Sequence, residues 1–231
     1  MPARLLTGIS IFCFSTFFTF QSTFALRETP QISIVADQTF ESEVHISSEC
    51  EDIVMIADFN SGTSPNNIGG DWGAWVKDPS DQTQGCTADS FREPSGDYAI
   101  VLDYDVDSPQ NAYNGFWMYV ARTQNSGNPS FASPIIDFLG FDYLCFDVRG
   151  DPGKRFTPQI KVEFMDRFNT PSPYLLRGIT SKWQTFKIPL SEFKLIRDRS
   201  SLWQFAIVFD DTNSFPRIGR VYIDNIRVGK R

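Results

Sequence analysis

From Ile53 onward the chain consists of short β-type runs in which apolar and polar residues alternate, and this period of two constrains the fold more than any other feature. In Tyr98–Val106, the residues Tyr98, Ile100, Leu102, Tyr104 and Val106 share one face, with Asp103 and Asp105 on the other. Phe116, Met118 and Val120 lie opposite Tyr113, Trp117 and Tyr119. Leu144, Phe146 and Val148 oppose Tyr143, Cys145 and Asp147, and Ile160, Val162 and Phe164 oppose Gln159, Lys161 and Glu163. Phe186, Ile188 and Leu190 oppose Thr185 and Lys187. The remaining runs are Ile53–Phe59, Trp72–Val76, Trp203–Asp210 and Val221–Val228, separated by Gly, Pro, Asn and Asp clusters. No window carries a long 3.6-residue period, and Ser191–Ile196 has room for one helical turn at most. One apolar and one polar face per strand is what two packed antiparallel sheets require. The predicted fold is therefore all-β, an antiparallel two-sheet β-sandwich of jelly-roll type with about nine strands.

Length and charge narrow the possibilities. A chain of 231 residues with 41% hydrophobic residues, 22 of them Phe, can bury one sandwich-sized core. A net charge of −7, with an isoelectric point near 4.7, argues against a nucleic-acid partner and against adhesion to anionic lipid. Residues 1–25 are a different polymer. Arg4 precedes an apolar run from Leu5 to Phe20 and a small residue ends the segment at Ala25, the pattern of a cleaved signal peptide. Residues 26–52 form a polar extension or linker, and 53–231 the β domain. No second segment is apolar enough to span a bilayer, so the expected product is secreted or periplasmic.

Export makes disulfides permissible. Cys13 leaves with the signal, and Cys50, Cys86 and Cys145 remain. Cys145 lies in a strand-like run and reads as a small apolar filler. Cys50 and Cys86 both sit in loop-like sequence and are the expected bridge. The one histidine, His45, lies outside the patterned region, which disfavours a zinc site and a Ser-His-Asp triad alike.

Four segments carry a resemblance. Ile56-Ala57-Asp58-Phe59-Asn60 followed by Asn67-Ile68-Gly69-Gly70-Asp71-Trp72-Gly73 is the first, and Leu144 to Asp151 the second. Trp183 to Leu190 with Glu192-Phe193 is the third, and Val221-Tyr222-Ile223-Asp224-Asn225-Ile226 closes the series. Together they resemble the galactose-binding-like jelly rolls, in the style of family 11 carbohydrate-binding modules and of the complex I intermediate-associated protein domain. The resemblance implies fold more strongly than ligand. It also implies a structural Ca2+ held by Asp58, Asn60 and Asp224, with backbone carbonyls completing an oxygen shell. Many relatives carry Glu where Asn60 stands.

A sugar-binding sheet needs flat apolar platforms and planar polar groups. Tyr113, Trp117 and Tyr119 supply the first, and Tyr143, Asp147, Arg149, Gln159, Lys161 and Glu163 occupy the matching faces of other strands. If those strands share a sheet, they line one groove for a polysaccharide or glycan. Trp72, Trp75, Trp183 and Trp203 read as core or rim packing. Asp103, Asp105 and Glu163 are the in-pattern acids a glycan hydrolase or lyase could use. A small single sandwich offers no deep cleft, so the balance is against catalysis without deciding it. The main rival is an assembly or scaffold protein that grips another exported polypeptide through the same sheet.

Overall fold

The computed structural model describes residues 53–122, 133–134 and 136–230. Thirteen strands alternate in two sheets and one small ribbon: β1 (Val54–Ala57), β2 (Trp72–Val76), β3 (Gly85–Arg92), β4 (Tyr98–Asp105), β5 (Tyr113–Tyr119), β6 (Ala121–Arg122), β7 (Ser133–Pro134), β8 (Tyr143–Gly150), β9 (Gln159–Met165), β10 (Pro171–Arg177), β11 (Gln184–Pro189), β12 (Gln204–Asp210) and β13 (Ile218–Gly229). The first sheet runs β11-β8-β13-β4-β3, with β1 also on β13, and the second runs β10-β9-β12-β5-β2. β6 and β7 form the ribbon, and every pairing is antiparallel. The all-β two-sheet sandwich is thus present, with eleven strands in its two sheets where the sequence pattern suggested about nine.

The twelve-residue β13 is long enough to serve two partners along one edge. Its first half pairs with β4, from Ile218↔Asp105 to Ile223↔Ile100. Beyond a register shift between Asp224 and Arg227, where Asn225 has φ 50°, its second half takes up β1 through Val54↔Val228. Such a bulge re-aims the strand without ending it.

Inward residues of both sheets interdigitate. Tyr104 on β4 stacks on Phe209 of β12, with centroids 4.2 Å apart and planes 8° apart. Phe146 on β8 meets Phe205 of β12 edge-on at 6.0 Å. Phe205 also meets Phe164 of β9 at 5.7 Å, and Phe164 touches Phe138 and Phe193. All of these phenylalanines are nearly or wholly buried, which is where much of the chain's unusual Phe content goes. A short 3-10 turn at Leu190–Glu192 stands where one helical turn was expected.

The two large-sheet strands that the pattern did not reveal are β3 and β10, and both are edge strands. Gly-Cys-Thr-Ala-Asp-Ser-Phe-Arg in β3 turns only the small Cys86 and Ala88 onto the core, too weak an apolar face to stand out, which an edge strand half open to solvent tolerates. In β10, Pro171 and Pro173 remove ladder donors, which an edge position tolerates and a central strand does not.

The missed β3 also corrects the cysteine reading. Cys86 lies within that strand opposite Tyr104 and carries a free thiol, so the expected Cys50–Cys86 bridge does not form. Burial, with Asp103 and Asp89 nearby, pushes its thiol up to about 12. Cys145 is wholly buried and disulfide-bonded rather than a lone filler. Cys50, His45, the signal segment and the 26–52 leader lie outside the described residues. Among the described residues no helix is long and apolar enough to cross a membrane.

Candidate functional site

The outward face of the second sheet is a cleft with a floor of small residues. Register sets Tyr113 opposite Asp210, Gly115 opposite Val208, Trp117 opposite Ala206 and Tyr119 opposite Gln204. Across β12, Val208 faces Lys161, Ala206 faces Glu163 and Gln204 faces Met165. On the other side of β5, Gly73 faces Trp117 and Trp75 faces Gly115. Directly opposed residues share a face, so Ala206 and Val208 form the floor, with the buried Gly115 beside them on β5. Trp75 and Tyr113 line one wall and Lys161 and Glu163 the other, while Trp117 and Tyr119 stand on the same sheet face beside the cleft. The cleft has a volume of about 590 Å³.

Local packing orients the aromatic surface. The Trp117 indole lies over Gly73, where a Cβ would sit only 3.2 Å from the ring. Its Nε1 donates to the Ala74 carbonyl at 3.3 Å. The ring leans on Tyr119 at 4.6 Å, and Tyr119 leans on Trp203 at 5.8 Å. Further along, Trp75 meets Tyr113 edge-on at 5.4 Å, and the Lys77 ammonium sits 5.4 Å from the Tyr113 ring centre. Tyr113 is 43% exposed. The floor depends on Gly115, because a Cβ there would fall 2.0 Å from the Ile207 carbonyl oxygen.

The polar wall is preset electrostatically. Lys161 Nζ lies 2.7 Å from Asp210 Oδ2. Burial works against charge on Asp210, but hydrogen bonds from Lys161 and Asn213 outweigh it and hold the carboxyl below its usual range. Glu163 goes the other way. Burial and then Asp210 raise it, against the pull of Lys161. The wall therefore presents an ammonium, a firmly ionised carboxylate and a carboxyl that ionises reluctantly, opposite the rings of Trp75 and Tyr113. That combination can stack a flat apolar surface and hydrogen-bond hydroxyls in the same plane.

No protein-family model matches the chain, and no curated protein sequence matches it. Solved structures do. One is a family 11 carbohydrate-binding module of the cellulosomal cellulase Lic26A-Cel5E of Clostridium thermocellum, at TM-score 0.53 and 14% identity, covering 79% of this chain and 97% of the module. Another is a family 11 module from Clostridium thermocellum in complex with a β-1,3-1,4-mixed-linked tetrasaccharide, at TM-score 0.51 and 13% identity, covering 77% of this chain and 95% of that one. The likeness shows the fold, a jelly-roll β-sandwich.

Within this jelly roll the expected groove residues divide between the layers. Tyr113, Trp117, Tyr119, Gln159, Lys161 and Glu163 share the outer face of the second sheet, although Gln159 is occupied, its Nε2 donating to the Asn213 carbonyl at 2.7 Å. Tyr143, Asp147 and Arg149 are on β8 in the first sheet and face the opposite side of the sandwich, so they cannot line the same cleft. Their own partners occupy them. Lys187 sits 4.3 Å from the Tyr143 ring centre. Asp147 accepts from Thr185 Oγ1 at 2.7 Å and from Asn225 Nδ2 at 3.0 Å, and it pairs with Arg227. Arg149 is bonded to Glu93 at 3.1 Å and lies 3.8 Å from the Tyr222 ring centre, with Trp183 beyond.

Trp75 was read as packing and instead stands in the cleft wall. Strict alternation in Trp72–Val76 already separates it from Trp72, which is half-buried against Phe59 and Phe116. Trp203, 8% exposed and donating to the Asp166 carbonyl, is core as expected. Ala206 and Val208 carry no polar or aromatic signal, and only the strand pairing identifies them as floor.

At the far end of β1 and β13, Asp58 accepts from the Asn60 amide at 3.0 Å and from Asn67 Nδ2 at 2.9 Å. Asn60 Oδ1 accepts from the Tyr98 amide. Burial first, then Asp147, Asp58 and Asp97, push the Asp224 carboxyl up to about 7. Among the described residues no three His, Cys, Asp or Glu side chains group as a metal site requires.

Proposed function

We propose that this chain is a non-catalytic glycan-binding protein that holds a polysaccharide chain in the cleft of its second sheet. The observation that carries the reading is a cleft walled by Trp75 and Tyr113 over a floor of Ala206 and Val208, with Trp117 and Tyr119 extending the aromatic surface on the same sheet face. The similar module's complex with a mixed-linked tetrasaccharide supports it. Ring stacking supplies affinity, while Lys161, Glu163 and Asp210 orient hydroxyls. A binding role rather than hydrolysis accords with the engagement of Asp210 by Lys161 and Asn213. Export by the signal segment belongs to the same proposal.

A Ca2+ at the β1–β13 end is its structural part. Asp58 and Asp224 fit the charge such an ion needs, whereas the Asn60 oxygen already serves Tyr98, so backbone carbonyls would have to complete the shell. Chelator should then lower the melting temperature, and an unchanged melt removes the ion from the account.

The test of binding is a panel of soluble oligosaccharides titrated into the full chain. Binding lost in Trp117→Ala and kept in Asp103→Asn, a residue tied to Arg220 on the other sheet, is the expected result. Silence on every glycan with co-purification of one polypeptide would replace this reading with a scaffold role.

A further inference from the structure

We propose that the end of the cleft beyond Gln204 and Met165 is a subsite for an anionic group, the carboxylate of a uronic acid or a sulfate ester, carried by the polysaccharide. This rests on the glycan-binding reading and specifies its substrate class. The register row Tyr119–Gln204–Met165 is the last on that side of the sheet. The chain leaves β9 there through Asp166-Arg167-Phe168 and arrives at β12 through Arg197-Asp198-Arg199. A second hollow of about 390 Å³ is lined by Lys194, Arg197, Arg199 and one acid, Asp198, together with the apolar Leu139, Phe193 and Ile196.

The free charge at this end is cationic. In a chain of net charge −7, four cations gather here, and the acids beside them are already in use, Asp137 on the Leu139 amide among them. Asp166, 1% exposed, spends its carboxylate on the backbone amides of Phe168, Arg197 and Asp198. Asp198 accepts from Ser200 through one oxygen and pairs with Arg167 through the other at 3.3 Å. Glu192 pairs with Lys194 at 3.3 Å. Arg197 and Arg199 have no acidic partner among the described residues. Phe168, 46% exposed, is flanked by Arg167 and Arg197, whose guanidinium carbons lie 5.1 and 5.3 Å from its ring centre. The turn therefore presents an aromatic plate edged by cations, and guanidinium forks bind carboxylate or sulfate oxygens in pairs. A neutral sugar would leave that charge unused. An anionic one matches it and reaches the aromatic surface with the neighbouring ring.

The experiment titrates the full chain, by calorimetry, with three oligosaccharides of equal length: a neutral β-glucan, a polyuronate and a sulfated glucan. The expected result is that one or both anionic ligands bind about tenfold or more tightly than the neutral one at low salt, the two arms telling carboxylate from sulfate. That preference should vanish in Arg197→Gln/Arg199→Gln, persist in the charge-matched control Lys154→Gln/Lys182→Gln, and fade at about 0.5 M salt. Melting curves of the variants confirm that they fold. Equal affinity for neutral and anionic ligands, both dependent on Trp117, overturns this proposal and leaves glycan binding standing. No binding of any oligosaccharide overturns both. Arginine-dependent capture of polyglutamate in place of the sugars overturns the glycan assignment and points to an acidic polypeptide.

Discussion

Replacing Trp117 with Ala gives the sharpest view of what the aromatic surface does. One face of the indole is spent on Gly73, its edge on Tyr119 and its Nε1 on the Ala74 carbonyl, which leaves the other face to a ligand. A Trp side chain buries up to about 250 Å², so one open face offers about 80 Å². At ~25 cal/mol per Å² its coverage contributes about 2 kcal/mol, or about thirtyfold in affinity. The substitution should weaken the best-bound oligosaccharide of the panel by about that factor in calorimetry. Gly73→Ala, which crowds the ring without removing it, should cause a smaller loss. The fold should survive, because the side chain is only partly buried and no core aromatic depends on it. An unchanged affinity in a folded Trp117→Ala protein refutes the reasoning, because the open indole face would then carry none of the binding.

Other consequences concern the frame around the cleft. Phe205→Ala removes the ring that ties β12 to both Phe146 and Phe164, and should cost about 3–5 kcal/mol, lowering the melting temperature by about 10 °C; a shift of a degree or two would show that the sheets are not joined there. Gly115→Ala forces a Cβ onto the Ile207 carbonyl and should destabilise by at least ~2 kcal/mol in denaturant titration, whereas a neutral effect would contradict the β5–β12 approach. Because burial raises the Glu163 carboxyl, ionising it costs stability, and that cost grows as pH rises from the ordinary glutamate range through the raised value. Glu163→Gln should therefore be at least as stable as the parent at pH 7 and lose that part of the decline. A Gln variant that is less stable with an unchanged slope would count against it.

Most of the β architecture was legible because buried strands must alternate: β2 and β9 match the expected runs residue for residue. The edge strands β3 and β10 were not, since a strand with one open side need not be apolar, and Cys86 was misplaced with β3. Half of the site was legible for the same reason. Period two tells which residues point outward, and it did so correctly for Trp117, Lys161 and Glu163. It does not tell which sheet a strand joins. Tyr143 and Trp117 have the same local pattern, yet β8 and β5 lie in different layers, and only the long-range pairing of β8 with β13 and of β5 with β12 separates them. The floor of the cleft was invisible because Ala206 and Val208, with Gly115 beside them, matter for what they lack.

The central claim is that the second sheet's outer face is where a glycan lies. Amide chemical shifts of isotope-labelled protein, followed while the best-bound oligosaccharide is added, test it directly. The account predicts shifts concentrated on Trp117, Tyr119, Ala206, Val208, Lys161 and Glu163. Shifts centred instead on Arg149, Tyr222 and Asp147 of the other sheet, or none anywhere, would contradict it.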